Sequence, residues 1–299
     1  MSDFPPEPAI RNVSDTAIWA ALYRARETER ADALFRDRFA RKLAGARGDA
    51  IATQMKGHDR HAWAWVMRTV LFDRFIAQEI AQGADMVVNL AAGLDARPYR
   101  MPLDPSFPWI EVDLPGILDD KEAVLREERP ACALERIRLD LADVSARRAL
   151  FNRLGARAKR ALVITEGLLI YLTREQVGAL AEDLAAPAGF RRWVFDLVSP
   201  GLLKMLQREV GDPLDRAGAP LLFGPAEGPA FFAPHGWRPR DVQSPLKTVA
   251  RENRLPFLLR FAAMLPESSG PQGSRPWSGI CLMEKTERAS PSPGGRGQG

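Results

Sequence analysis

A turn of small residues follows an apolar run near the middle of the first half of the chain. In MVVNLAAGLDARPYRM, residues 86–101, the apolar run gives way to Ala91, Ala92 and Gly93 and then at once to charged residues. Side chains no larger than methyl let the backbone turn sharply and approach a ligand closely. The fuller GxGxxG set of a pyrophosphate-binding dinucleotide site is missing, so a ligand without phosphates fits this turn better.

An aspartate follows this turn at a spacing that suits a ribose. Asp113 stands 20 positions after Gly93, at the end of the apolar run WIEVDLP. A carboxylate in that place accepts hydrogen bonds from ribose hydroxyls. Nicotinamide, flavin and adenosyl sites share this combination, and an ordinary turn with an acidic helix cap is the structural alternative.

Two further apolar runs end in acidic residues. In RLDLA, Asp140 stands beside Leu141, a pair suited to accept from an adenine amino group and to pack against its ring. In ALVITEGLLIYLT, Glu166 follows the apolar run directly, where an unpaired buried carboxylate would be costly. Capping of the next helix by Thr165 or Glu166 is the alternative explanation.

Three residues are candidate catalytic groups toward a second substrate. Tyr171, near the fourth apolar run, and Asp196, at the end of the fifth, belong to the same edge of the predicted sheet. His235, in FFAPHGW, is a candidate general base for a hydroxyl, or else a turn residue. His58 and His61 form an H-x-x-H pair, but no carboxylate or cysteine stands at ligand spacing, so we predict no metal site.

The elements that must position these residues alternate in type. From Met86 onward, five short apolar runs alternate with amphipathic segments of helical length, which predicts a parallel, doubly wound α/β sheet. Two weaker strand candidates, GWRPRDVQS and SGICLMEK, follow with a helical segment between them. Ligands of such sheets bind beyond the carboxyl ends of the strands, where we expect the candidate residues to meet.

The rest of the chain divides into a helical region and two polar ends. Apolar residues recur every three or four positions from Ser14, a candidate N-cap, to about Gln82. The ends are rich in Pro, Gly and Ser and lack apolar periodicity. The predicted domains are a disordered N-terminus (1–12), a helical cover (13–83), a catalytic domain (84–286, with a substrate-side insertion at 202–232) and a disordered tail (287–299).

Composition argues against several classes of protein. The 299 residues are 46% hydrophobic and 27% charged, as in an ordinary globular enzyme, and no apolar run reaches the roughly 20 residues of a membrane helix. Two cysteines and no apparent secretory signal favour a cytoplasmic location. The 42 basic residues, mostly arginine, are interspersed with acids, so the net charge of +4 indicates a charged surface rather than nucleic-acid binding.

The motifs together resemble a known family. VVNLAAGLDARPYRM, WIEVDLP, RLDLA and ITEGLLIYLT, in this order and spacing, resemble the leucine carboxyl methyltransferase superfamily, in particular its bacterial branch of S-adenosylmethionine-dependent O-methyltransferases. The resemblance runs from about Asp15 to about Lys285. It implies a class I methyltransferase, Rossmann-like doubly wound sheet of seven strands, the last antiparallel, with S-adenosyl-L-methionine as cofactor.

The resemblance also implies roles for residues at the motif positions. Gly93, with Ala91 in the same turn, matches the glycine against the methionine part of the cofactor, and Asp113 matches the ribose-binding acid. Asp140 and Leu141 match the pair that contacts adenine, and Glu166 matches the acid beside the cofactor at the end of the fourth strand.

Two arginines of the N-terminal region complete the implied cofactor set. Arg68 resembles the family arginine that holds the cofactor carboxylate, and a planar guanidinium suits that task. Arg26 stands where the family often has a lysine near the same carboxylate, with Arg24, Arg30 and Arg36 close by in sequence.

The implied reaction is methyl transfer to a carboxylate or hydroxyl of a small, apolar acceptor. The expected partner is therefore a small molecule, with neither nucleic acid nor membrane, and the sequence makes no prediction of oligomeric state. Two alternatives stay open: an NAD(P)-dependent oxidoreductase, which would want a fuller glycine pattern and a proton donor, and a cofactor-binding protein without turnover.

Overall fold

The structure, a computed structural model, describes residues 10–54, 62–252, 254 and 273–286. His58 and His61 and the predicted tail at 287–299 lie outside the described residues. The strands are β1 (Met86–Leu90), β2 (Pro108–Asp113), β3 (Ala133–Arg138), β4 (Ala161–Thr165), β5 (Phe190–Val198), β6 (Trp237–Gln243) and β7 (Ser278–Lys285).

The helices lie before, between and after these strands. Two stretches of 3₁₀ helix cover Leu169–Tyr171 and Gly228–His235. The α-helices are α1 (Val13–Thr28), α2 (Ala40–Gln54), α3 (Ala62–Ala81), α4 (Arg97–Arg100), α5 (Pro115–Leu125), α6 (Val144–Arg157), α7 (Arg174–Ala185), α8 (Pro200–Arg216) and α9 (Pro245–Arg251).

The strands form one sheet in the order β3-β2-β1-β4-β5-β7-β6. Neighbouring strands from β3 to β5 pair in parallel, whereas β7 runs antiparallel to both β5 and β6. This arrangement confirms the predicted doubly wound α/β sheet of seven strands whose last strand is antiparallel. The order reverses beside β1, which places the switch point of the sheet between β1 and β4.

Helices cover both faces of the central strands. Every residue of β1 and β4 is buried, as expected for parallel strands with helices on each side. On one face Val87 packs with Phe72 and Phe75 of α3, and on the other Val88 packs with Leu154 of α6. Helices therefore pack against both faces of the sheet. The edge at which the parallel strands end, called the carboxyl edge below, faces the N-terminal helices.

Helices α1 and α3 form a cover above that edge. The rings of Trp19 and Tyr23 in α1 lie 5.6 Å and 5.7 Å from the ring of Trp65 in α3. The first helix begins two residues earlier than predicted: Asn12, rather than Ser14, is its N-cap, because the Asn12 side chain accepts from the Asp15 N–H at 3.2 Å.

The segment 202–232 is attached to both the cover and the sheet. In α8, Leu203, Val210 and Leu214 pack in the same apolar cluster as Trp19 and Tyr23. Beyond the helix, the N–H groups of residues 222 and 223 donate to the Ile170 carbonyl at 2.7 Å and 3.1 Å. This segment therefore lies beside the turn that follows β4. Within the described part of the chain, no helix combines the length and the apolar character needed to cross a membrane.

Candidate functional site

A cavity of about 460 Å³ lies between the carboxyl ends of the strands and the cover. Its floor comes from the turns after β1, β2, β3 and β4, and its far wall comes from α1 and α3. This is the location expected for the ligand of a doubly wound sheet. Of the residues predicted from the sequence, the cavity brings together Arg68, Ala91, Gly93, Asp113, Asp140, Leu141, Glu166 and Tyr171.

The turn after β1 adopts an unusual backbone conformation. Ala91 and Gly93 have φ angles of 51° and 48°, both in the left-handed region that favours glycine. A Cβ atom on Gly93 would lie 3.1 Å from the Ala17 Cβ of α1, so the cover also requires a glycine here. Ala91 adopts this left-handed conformation although it carries a methyl group, so the backbone is locally strained at the cavity wall.

Asp113 connects this turn to the end of β2. Its Oδ2 accepts from the Gly93 N–H at 2.6 Å, and its Oδ1 accepts from the Leu114 N–H at 2.7 Å. Each carboxylate oxygen has a second lone pair, so the group can also accept from a ligand. Burial raises the pKa of Asp113, and the two backbone hydrogen bonds only partly oppose this effect.

Asp140 and Leu141, the pair predicted to contact adenine, lie in the loop after β3. This strand ends at Arg138, earlier than the sequence pattern predicted, and Asp140 folds back to accept from the Ala142 N–H at 2.9 Å. The Leu141 carbonyl accepts from Arg147 Nη1 of α6 at 2.8 Å. Apolar side chains surround this end of the cavity, as a planar ring requires: Leu139, Leu141, Val144, Leu172 and Leu180.

Glu166 follows β4 directly and is part of a network of ion pairs. Its Oε2 accepts from Arg97 Nη1 at 2.8 Å, and its Oε1 lies 3.0 Å from Arg68 Nε. Arg97 also pairs with Asp95 at 2.8 Å and Asp73 at 2.6 Å. Burial disfavours the Arg97 cation, but the three carboxylates outweigh this and hold its pKa above the ordinary value. Thr165 and Glu166 do not cap the next α-helix, because Thr173 does.

Arg68 presents its guanidinium to the other end of the cavity. The group lies over the Trp65 ring, 4.5 Å from its centroid, and its Nη1 is 3.6 Å from Asp196 Oδ2. Among the described residues, none accepts a hydrogen bond from the buried Arg68 Nε, because its close approach to Glu166 lacks the required angle. This cation is therefore incompletely satisfied by the protein.

Tyr171 lies in the 3₁₀ turn beyond Glu166 and also lines the cavity. Burial raises the pKa of its phenol, and a hydrogen bond with the Thr16 side chain and the charge of Arg68 only partly oppose this. The hydroxyl is therefore protonated at neutral pH. Thr16 belongs to α1, so this contact joins the cover to the turn that follows β4.

Three predicted site residues are not among the described residues that line the cavity. Arg26 lies near the Tyr23 ring, 6.0 Å from its centroid, while Arg24 lines the cavity and donates to the Leu94 carbonyl at 2.6 Å. Residues two apart on a helix do not share a face, which explains why only one of these arginines lines the cavity.

Asp196 and His235 also lie away from the cavity. Asp196 Oδ1 accepts from the Gly167 N–H at 2.6 Å, behind the wall that Arg68 and Glu166 form. His235 Nδ1 lies 3.0 Å from Glu182 Oε1 and packs beside Gly178 of α7. The predicted base is therefore one helix away from the cavity.

Several cavity residues did not emerge from the sequence as site candidates. Asp95 and Arg97 belong to the segment 86–101 and line the cavity. Their charged side chains directly after the small-residue turn were the feature of the sequence that could have identified them. Ser14 and Thr16 come from the cover, where helical periodicity marks a face but not the ligand beneath it.

Comparisons with known proteins agree with this geometry. The family model for leucine carboxyl methyltransferase matches residues 17–185, a segment that contains most of the cavity lining. A protein of Parafrankia sp. (strain EAN1pec), named "Putative S-adenosyl-L-methionine-dependent methyltransferase", is 36% identical over 269 residues, which are 84% of each chain. A protein of Streptomyces avermitilis with the same type of name is 33% identical over 235 residues, 74% of this chain and 82% of its own.

Solved structures show the same fold at low sequence identity. A DUF574 family protein from Streptomyces avermitilis has a TM-score of 0.54 and 11% identity, covering 89% of this chain and 96% of its own. The structure of a protein from Thermobifida fusca, described as a "putative methyltransferase", has a TM-score of 0.52 and 16% identity, covering 96% of this chain and 100% of its own. The resemblance seen in the sequence is confirmed: the chain belongs to the leucine carboxyl methyltransferase family.

Proposed function

We propose that this methyltransferase transfers a methyl group from S-adenosyl-L-methionine to the carboxylate of a small, apolar acceptor. The observation that carries the proposal is the hydrogen bond of 2.6 Å between Gly93 N and Asp113 Oδ2. It ties the small-residue turn to the acidic strand end within one cavity and leaves acceptor capacity on the carboxylate.

The cavity residues fit this cofactor at each of its parts. Arg68 has a buried donor atom without a hydrogen-bond partner in the described chain, and its cation suits the cofactor carboxylate. Asp113 would accept from the ribose hydroxyls. Asp140, with Leu141 and the apolar walls around it, would hold the adenine. A cavity of about 460 Å³ lies within the range of small-molecule sites.

The cofactor brings an activated methyl group, so the protein has to position the acceptor and exclude water. Trp65 and Leu168 give the cavity wall beside Arg68 an apolar surface, and the cover of α1 and α3 closes it. Glu166, held by Arg97 and close to Arg68, is placed to orient the methionine part of the cofactor.

The polar groups near Arg68 favour an acceptor oxygen that is already ionised. Tyr171, whose pKa is raised by burial, donates a hydrogen bond at neutral pH rather than removing a proton. His235, the base that a hydroxyl acceptor would use, is engaged with Glu182 outside the cavity. A carboxylate needs no base, because it is ionised at neutral pH.

An acceptor screen with matched compounds tests this proposal. The wild-type protein is incubated with S-adenosylmethionine and pairs of the same carbon skeleton, such as phenylacetic acid with 2-phenylethanol and octanoic acid with octanol. Product S-adenosylhomocysteine is measured by chromatography, and methylated products are identified by mass spectrometry before and after alkaline hydrolysis.

We expect alkali-labile methyl esters from the acids and much less product from the alcohols. Tyr171→Phe should lower the rate with the acids without changing S-adenosylhomocysteine affinity. Methyl ethers as the only products would contradict the carboxylate assignment, while the cofactor assignment would stand.

A further inference from the structure

A second cavity, of about 510 Å³, lies at the opposite edge of the sheet. It is formed where β4 and β5 begin and where β7 ends, so the whole length of the strands separates it from the first cavity. Six basic side chains line it: Lys159, Arg160, Arg191, Arg192, Arg238 and Lys285. We call these six residues and the space between them the basic pocket.

The carboxylates near the basic pocket are too few to balance it. Glu284 is the one acid among the described residues that line it, and it lies 2.8 Å from Arg238 and 3.5 Å from Arg192. Glu79, fully buried behind the pocket, lies 3.4 Å from both Arg160 and Arg192. Each of these two carboxylates is therefore shared by more than one guanidinium. A third carboxylate, Asp85, accepts from the backbone N–H groups of Lys159 and Arg160 at 2.8 Å and 3.0 Å. Six basic side chains thus face three carboxylates, and the pocket keeps a positive charge.

Arg192 shows the consequence of this imbalance most directly. It is 15% exposed, and within the described structure its buried Nε makes no hydrogen bond, although Glu79 Oε2 lies 3.4 Å from it as an ion-pair partner. Burial lowers the pKa of Arg192, and the neighbouring cations Arg240 and Arg160 lower it further, although Glu79 opposes them. An anion in the pocket would stabilise this cation.

We propose that the basic pocket binds a small polyanion that carries two or more phosphate groups. Guanidinium groups pair bidentately with phosphate oxygens, and here they come from separate strands that surround one concave space. Such a cleft concentrates the positive potential on a bound anion. The volume of the pocket is that of a small-molecule site, and cations on several of its sides suit a chain of phosphates.

This ligand is distinct from the methyl donor in chemistry and in place. S-adenosylmethionine carries no phosphate, and the first cavity lies at the other edge of the sheet. Binding at the basic pocket therefore does not depend on the proposed methyl transfer. Inorganic tripolyphosphate and a nucleoside triphosphate both contain a chain of phosphate groups. The test below compares the two compounds to show whether the pocket also recognises the nucleoside.

The test is a calorimetric titration of the full-length protein with sodium tripolyphosphate, and separately with ATP, at constant ionic strength. The double variant Arg191→Gln/Arg238→Gln removes two exposed cations and leaves the partly buried Arg192 and the fully buried Glu79 in place. Arg126→Gln, an exposed arginine far from the pocket, is the matched control. Binding of S-adenosylhomocysteine serves as the check that each variant is folded.

We expect saturable binding of tripolyphosphate that the double variant weakens about tenfold or more, while Arg126→Gln leaves it unchanged. Equal affinities for tripolyphosphate and ATP would identify the phosphate chain as the ligand, and tighter binding of ATP would identify a nucleotide. Absence of saturation, or equal affinity in the double variant and the control, would overturn the proposal. So would tighter, variant-sensitive binding of a duplex DNA fragment, because the surface would then bind a nucleic-acid backbone.

Discussion

At the scale of single residues, Asp113 joins two parts of the proposed cofactor site: the turn after β1 and the end of β2. Its two oxygens bind the N–H groups of Gly93 and Leu114, so the carboxylate is fixed in place before any ligand arrives. Such preorganisation lowers the entropy that a ligand would lose on binding. The group is also buried enough for its ionisation to be disfavoured, which makes its charge sensitive to pH.

Asp113→Ala should weaken binding of S-adenosylhomocysteine by about 1.5 to 3 kcal/mol, the scale of a charge-assisted hydrogen bond. The measurement is calorimetric titration at neutral pH. Asp120→Ala, which removes an exposed carboxylate from the same region on α5, is the matched control and should leave the affinity unchanged. An unaltered dissociation constant in Asp113→Ala would remove this residue from the ribose site.

The affinity should also depend on pH through the same carboxyl group. Because the ionised form accepts from the ligand and its pKa is raised, the affinity should begin to fall at a pH above the ordinary aspartate value of 3.8. The stability of the unliganded fold should change with pH in the opposite direction. The ionised form of Asp113 costs the folded state free energy at neutral pH, and this cost is lost as the pH falls through the pKa of Asp113 in the folded state.

Titrations with S-adenosylhomocysteine between neutral and mildly acidic pH check this expectation. The variant Asp113→Asn cannot ionise at that position, so its weaker affinity should vary less with pH. The same pH dependence in the variant and the wild type would assign the effect to another group.

Ala91 offers a test of the strained turn. Its φ of 51° disfavours a side chain, so Ala91→Gly should stabilise the protein by about 0.5 to 1 kcal/mol despite the greater freedom of glycine when unfolded. Ala92→Gly, at the next position with no positive φ, should instead destabilise it by about 1 kcal/mol. Urea denaturation measures both changes. Equal losses in the two variants would show that the turn is not strained.

Site residues beside apolar strands were easier to predict than those on the cover. Gly93 and Glu166 follow strands that the sequence marks clearly and Asp113 ends another, so the sheet alone brings them to one edge. Arg24 and Arg26 could not be separated, because the rotation of a helix about its axis depends on packing that the local pattern does not contain. Their roles toward the cofactor stay predictions.

At the scale of elements, α3 links α1 to the carboxyl edge of the sheet. Its apolar face packs Phe72 and Phe75 on the sheet, while Arg68 on the same helix reaches Glu166 and Asp196. One helix therefore both stabilises the sheet and supplies a cation to the cavity. The helical pattern predicted α3. It placed the start of α1 less well: Asn12 rather than Ser14 is the N-cap, since several polar residues near the start of α1 could serve.

Arg68→Ala should leave the fold intact and lower the affinity for S-adenosylhomocysteine by about tenfold or more, because it removes the proposed partner of the ligand carboxylate. The comparison is Arg74→Ala on the same helix, whose side chain pairs with Glu252 at the surface. Thermal unfolding verifies that both variants are folded. A normal dissociation constant in Arg68→Ala would place the carboxylate elsewhere.

At the scale of the whole molecule, the two edges of the sheet have different chemistry. The carboxyl edge has acids and arginines in paired networks around the first cavity, whereas the amino edge has the basic pocket. The alternating strands and helices predicted the sheet and the edge at which most of the candidate residues lie. The amino edge could not be predicted, because its residues are far apart in sequence and meet through the parallel pairing of β4 with β5 and the antiparallel pairing of β7 with β5 and β6.

The most direct test of the account is a calorimetric titration of the purified protein with S-adenosylhomocysteine, with NADH as the control ligand. We predict saturable binding of S-adenosylhomocysteine, which Asp113→Ala weakens, and no binding of NADH at the same cavity. Failure of S-adenosylhomocysteine to bind, or saturable binding of NADH that Asp113→Ala weakens, would contradict the assignment of this cavity to the methyl donor.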